Sequence, residues 1–278
     1  MITLEQLQAG VVLAIDKPYR WTSFQAVNKI KAIVRNAYGL KKFKIGHAGT
    51  LDPLATGLLL VCLGKATKRI SELQDGDKVY TGTLVLGATT PCYDMEQAID
   101  RRFPYEHLTP TLLEETARRF VGTVMQVPPM FSAVKVDGQR AYEYARRDDS
   151  SVTIQPKSVK IHCFEITAFR YGVQGSAKAC DGEGGNRLCQ QNSSGTPHFY
   201  DHPQCVVPAE LPQADFRVQC GKGTYIRSLA RDFGETLGSG AFLSALRREQ
   251  VGDYHVDGAL QLDEVEPFLT GTDEMLKK

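Results

Sequence analysis

The sequence predicts an α+β fold with a mixed, largely antiparallel central sheet flanked by helices and loops. Strand patterns and helical patterns follow one another irregularly, without the regular strand–helix–strand repeat of a parallel sheet. One stretch, Lys78–Leu86, alternates in the way of a half-buried strand. A chain of 278 residues with 42% hydrophobic residues can build one large core, and we assign residues 1–278 to a single domain.

The first elements are a strand, a helix, a second strand and a short helix. VVLAIDKP, at Val11–Pro18, is a short apolar strand closed by proline. Thr22-Ser23 can cap a helix that Gly39 ends, and its apolar residues recur at helical spacing, at Phe24, Val27, Ile30 and Val34. LLLVCL, at Leu58–Leu63, has the pattern of a buried strand, and Ala66–Gln74 that of a short helix.

The second half continues the irregular order. Thr109-Pro110 opens a helix that runs to about Phe120, because a capping residue is followed by proline. Val136–Gln139 has Asp-Gly at its centre, which predicts a tight turn before a short helix with two tyrosines. Strands are predicted at Lys157–Tyr171 and Ala214–Cys220. Two helices are predicted to follow, TYIRSLARDFGETLG and GAFLSALRREQ.

A long segment at about 172–212 separates the last two of these strands. It is rich in Gly, Ser, Gln and Pro and has little periodicity, so we interpret it as an insertion that forms a surface loop. A zinc site stays an alternative, because the segment contains five plausible ligands, Cys180, Cys189, His198, His202 and Cys205. The close Cys-x2-Cys pair of most structural zinc sites is missing. We therefore predict no metal.

The charge is distributed unevenly, although the net charge is only +1. Residues 17–51 contain eight lysines and arginines and no acidic residue. Such a local positive charge on a neutral chain suits a partner that carries phosphates. The alternative is a solvated basic helix, which is what many charge runs are.

We expect a cytoplasmic protein with reduced thiols. The seven cysteines form no regular framework. The longest apolar run, LLLVCL, is far too short to span a bilayer. The first residues, MITLEQLQAG, lack the basic and apolar segments of a signal peptide.

The stretch GHAGTLDPLATG, Gly46–Gly57, surrounds a single carboxylate, Asp52, with three glycines and a proline. Pro53 disfavours helix at Asp52, and the glycines permit sharp bends or close approach of another chain. Asp52 either forms a structural turn, the commoner role in such loops, or acts as a nucleophile or base. No paired carboxylate, phosphate-binding glycine loop, dinucleotide fingerprint, His-Glu-x-x-His helix or Gly-x-Ser-x-Gly motif accompanies it.

The same stretch resembles the signature of the TruB family, the bacterial tRNA pseudouridine-55 synthases. Four further blocks resemble that family in the same order. They are DKPYRWTSFQAVNKIK, DGDKVYTGTLVLG, VPPMFSAVKVDGQRAYEYAR and GKGTYIRSLARDFGETLGSGAFLSALRR. Together the five blocks cover most of the chain outside the insertion. The resemblance implies the pseudouridine synthase fold and tRNA, bound at its T arm, as the partner.

The resemblance also implies a reaction without a cofactor. The bond between the ribose and N1 of uracil is broken, the base turns while it is held, and C5 is joined to the ribose. The residue that matches the essential catalytic carboxylate is Asp52, with Arg227 as its ion-pair partner. Tyr80 matches a tyrosine that stacks on the target base and assists proton removal. Whether Asp52 attacks the sugar, attacks the base or removes a ribose proton stays open.

Substrate-binding residues follow from the resemblance in the same way. Tyr225 and Leu246 match residues that line the uracil pocket, with core packing as the alternative role. His47 matches a histidine that enters the RNA where the flipped base has left. Lys17 supports the active-site loop. Basic residues such as Lys41, Lys42, Lys44, Lys65 and Lys68 would hold the phosphates. The glycines around Asp52 would let RNA come close.

Three features depart from the family pattern. Ala48 stands where threonine is usual, one residue from His47. Pro91-Cys92 stands where Asp-Thr is common, which leaves open whether a loop hydrogen bond forms there. The sequence stops soon after LDEVEPFL, so we expect no C-terminal RNA-binding domain of the PUA type and a monomer.

Two other functions suit parts of this pattern. A non-catalytic tRNA-binding or folding protein would keep the basic face and the tyrosines, but would not need Asp52 and Arg227 together. A guide-dependent pseudouridylase of ribosomal RNA would share the core, but its relatives typically carry the PUA-type domain. A zinc-binding interaction module in the insertion is a third possibility.

Overall fold

The computed structural model of the chain describes residues 1–132, 134–136, 138–145, 147, 152–172 and 206–271. Its helices are α1 (Leu4–Ala9), α2 (Ser23–Tyr38), α3 (Ile70–Asp75), α4 (Pro110–Arg119), α5 (Ala141–Ala145), α6 (Ile226–Leu237) and α7 (Val265–Thr270). Its strands are β1 (Val11–Lys17), β2 (Ile45–His47), β3 (Thr56–Leu63), β4 (Lys78–Leu86), β5 (Ala88–Thr89), β6 (Arg101–Arg102), β7 (Gly122–Gln126), β8 (Lys135–Val136), β9 (Gln139–Arg140), β10 (Lys157–Arg170), β11 (Gln213–Cys220), β12 (Ala241–Val251) and β13 (Tyr254–His255). Gly64–Arg69 and Val256–Gly258 form 3₁₀ turns.

One large sheet organises these elements. Its strands follow the order β1-β3-β12-β4-β11-β10-β7, with β2 alongside β3 and β13 alongside β12. All pairs are antiparallel except β3 with β12, where Thr56 and Gly57 lie opposite Arg247 and Arg248. The prediction of an α+β fold on a mixed, largely antiparallel sheet is therefore confirmed.

Strand β3 lies between two cores. Leu59, Val61 and Leu63 face the larger one, to which helices α2, α4, α6 and α7 contribute buried residues such as Ile30, Leu113, Phe233 and Leu269. Leu58, Leu60 and Cys62 face a smaller core on the opposite side of the sheet. Because alternate residues of a strand point to opposite faces, a strand buried on both sides is a continuous apolar run. The unbroken apolar run LLLVCL therefore reflects the burial of both faces of β3.

The predicted boundaries of helix α2 are confirmed. The Thr22 side chain accepts a hydrogen bond from the backbone of Gln25, and Gly39 ends the helix with a φ of 65°. Val27, Ile30 and Val34 are buried, as their spacing predicts. Phe24 differs from them, because it is 68% exposed.

The prediction of a helix at GAFLSALRREQ is wrong. Ala241–Val251 is strand β12, which lies between β3 and β4. Alanine, leucine and arginine are good helix formers, but pairing on both edges and the burial of Ala241, Phe242 and Leu243 override this propensity. The helix predicted just before it is confirmed as α6.

The segment between β10 and β11 lies mainly outside the described residues. This includes all five candidate zinc ligands of the insertion. Among the residues that the structure describes, no cluster of His, Cys, Asp and Glu could hold a metal ion. No described helix is long and apolar enough to cross a membrane. The turn predicted at Val136–Gln139 joins β8 to β9, and its Asp137 is likewise outside the described part.

Gly57 of β3 lies directly against the backbone of β12. Its φ is +96°, and an added Cβ would lie 2.3 Å from the carbonyl oxygen of Arg248. Lys17 of β1 lies opposite Gly57 on the other edge. The close neighbour at this glycine is therefore the sheet itself, and not an RNA as the sequence suggested.

We predict that Gly57→Ala lowers the free energy of unfolding by at least about 3 kcal/mol, because strain and a backbone clash add. Gly39→Ala is the matched control, since φ there is +65° but nothing lies within 4 Å of an added Cβ. It should lose about 1 kcal/mol. Urea denaturation of both variants checks this, and equal losses would contradict the proposed close packing.

Candidate active site

Asp52 lies in the loop between β2 and β3, and its backbone is held from both sides. Ser23 accepts a hydrogen bond from the backbone N–H of Leu51 at 2.8 Å and donates one to its carbonyl oxygen at 3.1 Å. The carbonyl oxygen of Asp52 accepts from Ala55 at 3.1 Å and closes a turn. The Asp52 carboxylate takes no part in that turn. Its oxygens point to Arg227, so the structural-turn alternative does not account for this side chain.

Arg227 binds the Asp52 carboxylate through two parallel hydrogen bonds. Nε donates to Oδ2 at 2.9 Å, and Nη2 donates to Oδ1 at 3.0 Å. The guanidinium also donates hydrogen bonds to two backbone carbonyl oxygens, from Nη1 to Cys92 at 3.3 Å and from Nη2 to Phe131 at 2.9 Å. The Arg227 side chain is 6% exposed, against 36% for Asp52. The buried arginine is thus held by backbone carbonyl oxygens, while part of the Asp52 carboxylate faces the solvent.

Asp94 is the residue at this site that the sequence analysis missed. It is 5% exposed, and its Oδ2 lies 3.6 Å from Nε of Arg227. Burial disfavours the charge on Arg227, but the carboxylates of Asp52 and Asp94 outweigh this and raise its pKa. Burial raises the pKa of Asp94, and Arg227 opposes this. One buried cation therefore lies between two carboxylates from distant parts of the chain.

Cys92 takes part in the loop hydrogen bonding that the sequence left open. Its thiol donates to Oδ1 of Asp94 at 2.9 Å, and the Glu96 backbone donates to the same oxygen at 2.9 Å. The Thr90 hydroxyl donates to the Asp94 carbonyl oxygen at 2.7 Å. Burial and the neighbouring Asp94 raise the pKa of Cys92 to about 12, so the group stays a thiol and a donor. The loop thus orients Asp94 without an Asp-Thr pair.

Lys17 supports the active-site loop, and its ammonium is fully buried. Nζ donates to the carbonyl oxygens of Pro18, Trp21 and Pro53, at 3.0, 2.6 and 3.3 Å. Burial lowers the pKa of Lys17 to about 8, and Asp52 partly opposes this. The side chain joins the end of β1 to the residue after Asp52. It is not exposed for a phosphate to contact.

Arg248 is a second buried cation that positions the same loop. It is 1% exposed and donates to the carbonyl oxygens of Leu58, Thr50 and Gly49, at 2.7, 3.4 and 3.2 Å. Its signal in the sequence is the Arg-Arg pair of ALRREQ, but that segment was interpreted as a helix. Only on a central strand does Arg248 reach both ends of the loop.

Asp52 and Arg227 open onto a small cleft. Its remaining lining is mostly apolar, with Leu54, Ala55, Asp94, Met95, Leu243, Ser244, Ala245 and Leu246. The structure thus brings Leu246 to the same cleft as Asp52 and Arg227. Tyr225 precedes α6 and is half-buried, and the Gln126 side chain exchanges two hydrogen bonds with its backbone at 2.8 and 3.0 Å. Burial and the nearby Asp52 carboxylate raise the pKa of Tyr225.

Tyr80 and His47 lie near this cleft but not on its wall. Tyr80 is in β4, paired with Arg248 of β12, and it is 8% exposed within the larger core. Burial raises its pKa, and Arg248 opposes this. His47 ends β2 and is half-buried, and burial lowers its pKa, so its ring is neutral at pH 7.

The lysines that the sequence analysis expects to hold phosphates form a group at the other end of β3. Lys41, Lys42 and Lys44 are exposed between α2 and β2, and Lys65 and Lys68 are exposed in the 3₁₀ turn after β3. The Gly64 backbone donates to the Lys44 carbonyl oxygen at 2.9 Å and holds the two groups together. Eight residues of strand separate Thr56 from Gly64, or roughly 25 Å. An RNA that touches both the cleft and these lysines must span that length.

We predict that Lys17→Met lowers the free energy of unfolding by about 2 kcal/mol at pH 7, because three buried carbonyl oxygens lose their donor. Lys44→Met, at an exposed position, should change little. The pKa of Lys17 is lowered from 10.5 to about 8 on folding, so between these values the unfolded chain binds more protons.

The stability contributed by Lys17 therefore rises with pH across this window. The difference between the native chain and Lys17→Met should widen from pH 8 to pH 10, by at most about 1.4 kcal/mol per pH unit. Urea denaturation at three pH values measures it. A difference that shrinks with pH would contradict the assigned burial of the ammonium.

We predict that Cys92→Ala lowers the free energy of unfolding by about 2 kcal/mol, because Asp94 loses a buried donor. Cys92→Ser keeps an O–H in the same place and should lose less than half as much. Thermal and urea unfolding of the two variants check this. Equal losses would show that the thiol acts by packing alone.

Comparison with known proteins bears on the identity of this site. The model of the TruB family pseudouridylate synthase N-terminal domain matches residues 35–181, and that of the tRNA pseudouridylate synthase B C-terminal domain matches residues 227–278. The curated "tRNA pseudouridine synthase B" of Flavobacterium johnsoniae is 48% identical over 262 residues, which are 94% of this chain and 96% of that protein. Its namesake in Phocaeicola vulgatus is 43% identical over 260 residues, covering 94% and 93% of the two chains.

Solved structures support the fold. A chain in the crystal structure of a Cbf5-Nop10-Gar1 complex is 24% identical, with a TM-score of 0.59 over 97% of this chain and 57% of that one. Another, in an H/ACA RNP bound to a substrate RNA containing 2'-deoxyuridine, is 20% identical with a TM-score of 0.57, over 99% and 59%. With the family models and the curated relatives, these likenesses confirm the resemblance seen in the five sequence blocks: the chain belongs to the TruB family of pseudouridylate synthases.

Proposed function

We propose that this protein isomerises uridine to pseudouridine in tRNA, at position 55 in the T arm, without a cofactor. The observation that supports this most directly is the Asp52–Arg227 pair, which is fixed from behind and open toward a small, mostly apolar cleft. Relatives that cover nearly the whole chain carry the name tRNA pseudouridine synthase B. The T-arm position comes from the family resemblance.

The reaction needs a carboxylate that is ionised and held in one orientation. Two parallel hydrogen bonds from Arg227 provide the orientation, because a bidentate guanidinium fixes the plane of the carboxylate. The exposed part of Asp52 is then free to act on the nucleotide. The bond from N1 to the ribose breaks and a bond from C5 forms, and the proton lost from C5 is balanced by one gained at N1.

The wall of the cleft suits a base that must turn while it is held. Leu243, Ala245 and Leu246 offer apolar surface without fixed hydrogen-bond partners, so the uracil can rotate between bond cleavage and bond formation. The target must first leave its stack, which costs a few kcal/mol. We assign stacking on the flipped base to Tyr80 and filling of the vacated place to His47. Since Tyr80 is buried in the free protein, this role requires the ring to become accessible when RNA binds.

A non-catalytic tRNA-binding protein is the alternative function. Binding alone gives no reason to bury Arg227 between Asp52 and Asp94, because a buried cation is costly unless it is paired. This arrangement favours catalysis. The single-domain assignment, the monomeric state and the cytoplasmic location stay predictions that accompany the proposal.

The test is tritium release from an unmodified tRNA transcript that carries C5-tritiated uridine. Asp52→Asn keeps the size of the side chain but removes its charge, and we predict a loss of at least about 100-fold in rate. Asp263→Asn, at an exposed position of the same chain, is the matched control and should keep full activity.

A second transcript maps the position. Replacing uridine 55 by cytidine should abolish release from the tRNA. Release that persists in this transcript would contradict the T-arm assignment. If neither the native chain nor Asp52→Asn releases tritium while both bind tRNA, the binding-protein alternative is correct.

A further inference from the structure

Two exposed aromatic rings stand beside the catalytic loop. Phe24, in the first turn of α2, is 68% exposed, and Tyr19, in the segment before it, is 46% exposed. Arg20 lies between them, with its guanidinium 5.8 Å from the centre of the Tyr19 ring. We call these three residues the Tyr19–Phe24 surface. None of them has a part in the site described above.

This surface is fixed to the loop that carries Asp52. Lys17 links the carbonyl oxygens of Pro18 and Trp21 to that of Pro53. Ser23, next to Phe24, binds the backbone of Leu51, next to Asp52. Phe24 is one residue from Ser23, and Asp52 is one residue from Leu51. The Cα atoms of Phe24 and Asp52 therefore lie within roughly 15 Å of each other. An RNA strand that delivers a nucleotide to Asp52 therefore passes within reach of these rings.

The backbone at this surface adopts an uncommon conformation. Arg20 has a φ of 64°, and among the described residues only Tyr93 is another non-glycine with a positive φ. Such a conformation is strained and persists only where its surroundings impose it. Here it places the guanidinium close to the ring of the preceding tyrosine. A flat cation next to an exposed ring is a surface on which a nucleobase can stack.

The charge around the surface points to a phosphate-bearing partner. Residues 17–51 contain eight basic residues, and within the described part of the chain the seven other than Lys17 form no ion pair with a carboxylate. Elsewhere in the described part of the chain, Arg102, Arg170 and Arg247 are each paired with a carboxylate. An exposed cation without a carboxylate partner is solvated by water, so it carries little energetic cost in the free protein. It can then bind a polyanion such as RNA through the phosphates.

Helix α2 continues this surface away from the loop. Asn28, Lys31 and Arg35 follow Phe24 at intervals of four, three and four residues, so all four residues lie along one stripe of the helix. Asn28 and Arg35 are exposed and Lys31 is partly exposed. The stripe thus starts with an aromatic ring and continues with groups that hydrogen-bond to or neutralise phosphates, over roughly 16 Å.

We propose that the Tyr19–Phe24 surface stacks an unpaired base of the substrate RNA that flanks the target uridine, while the stripe of α2 holds the adjoining phosphates. The proposal rests on the proposed function and adds a second contact to it. Aromatic rings together with arginine suit unpaired nucleotides, because every base has a π face. The excess of positive charge disfavours a second copy of this chain as the occupant.

The first experiment measures equilibrium binding of an unmodified T-arm stem–loop in the Asp52→Asn background, where no turnover occurs. Phe24→Ala is expected to weaken binding by about tenfold. Phe24→Leu should lose nearly as much, because it keeps apolar area but has no π face, and Phe24→Tyr should restore binding. Val121→Ala is the matched control, since Val121 is 45% exposed and lies before β7.

The second experiment locates the base. Phe24→Ala should not change binding of a fully paired duplex of the same length. In a series of stem–loops with one abasic residue each, the stacked position is the one at which Phe24→Ala causes no further loss. Unfolding of Phe24→Ala should match the parent, because the ring is mostly in water.

The outcomes separate this proposal from the function on which it rests. If the native chain releases tritium but Phe24→Ala and Tyr19→Ala bind the stem–loop as tightly as the parent, the stacking surface alone is refuted. Equal weakening for duplex and loop, or a changed oligomeric state in Phe24→Ala, refutes it as well. If the native chain neither releases tritium nor binds the stem–loop, both proposals fail.

Discussion

The charge interaction of Arg227 with Asp52 and Asp94 is the constraint on which the site depends. A buried guanidinium is tolerated only if its donors are satisfied and its charge is balanced. Here two carboxylates and two backbone carbonyl oxygens do this, and they come from the β2–β3 loop, the loop after β5 and the segment before β8. The loops must therefore converge on α6 before the arginine can be buried. The same requirement orients the Asp52 carboxylate, which we propose to be the catalytic group.

Two further buried cations, on strands β1 and β12, hold the loop of Asp52 in place by binding backbone carbonyl oxygens. Lys17 and Arg248 each bind three of them around the loop of Asp52. Gly57 lets β3 lie directly against β12, which brings Arg248 to the loop. Buried cations that are saturated by carbonyl oxygens hold a loop firmly, because releasing any one partner exposes an unmet charge. This leaves Asp52 as the partly exposed group at the end of a rigid frame.

Cations on this protein fall into two groups that differ in their partners. Those of the frame are paired or saturated, whereas those of residues 20–44 are exposed or partly exposed and have no carboxylate partner among the described residues. The first group acts on the protein's own backbone and carboxylates. The second is available to a polyanion. The exposed Phe24 ring lies at the start of α2 beside this second group.

The sequence by itself determined the local features and the family. Capping residues marked the starts of α2 and α4, the run LLLVCL predicted a buried strand, and the resemblance of the five blocks pointed to Asp52 with Arg227. Only the tertiary structure decided that Ala241–Val251 is a central strand, that Asp94 joins the ion pair of Asp52 and Arg227, and that Phe24 faces solvent. These features depend on contacts between residues far apart in the chain, and neither helix propensity nor spacing records which distant partner a residue will meet.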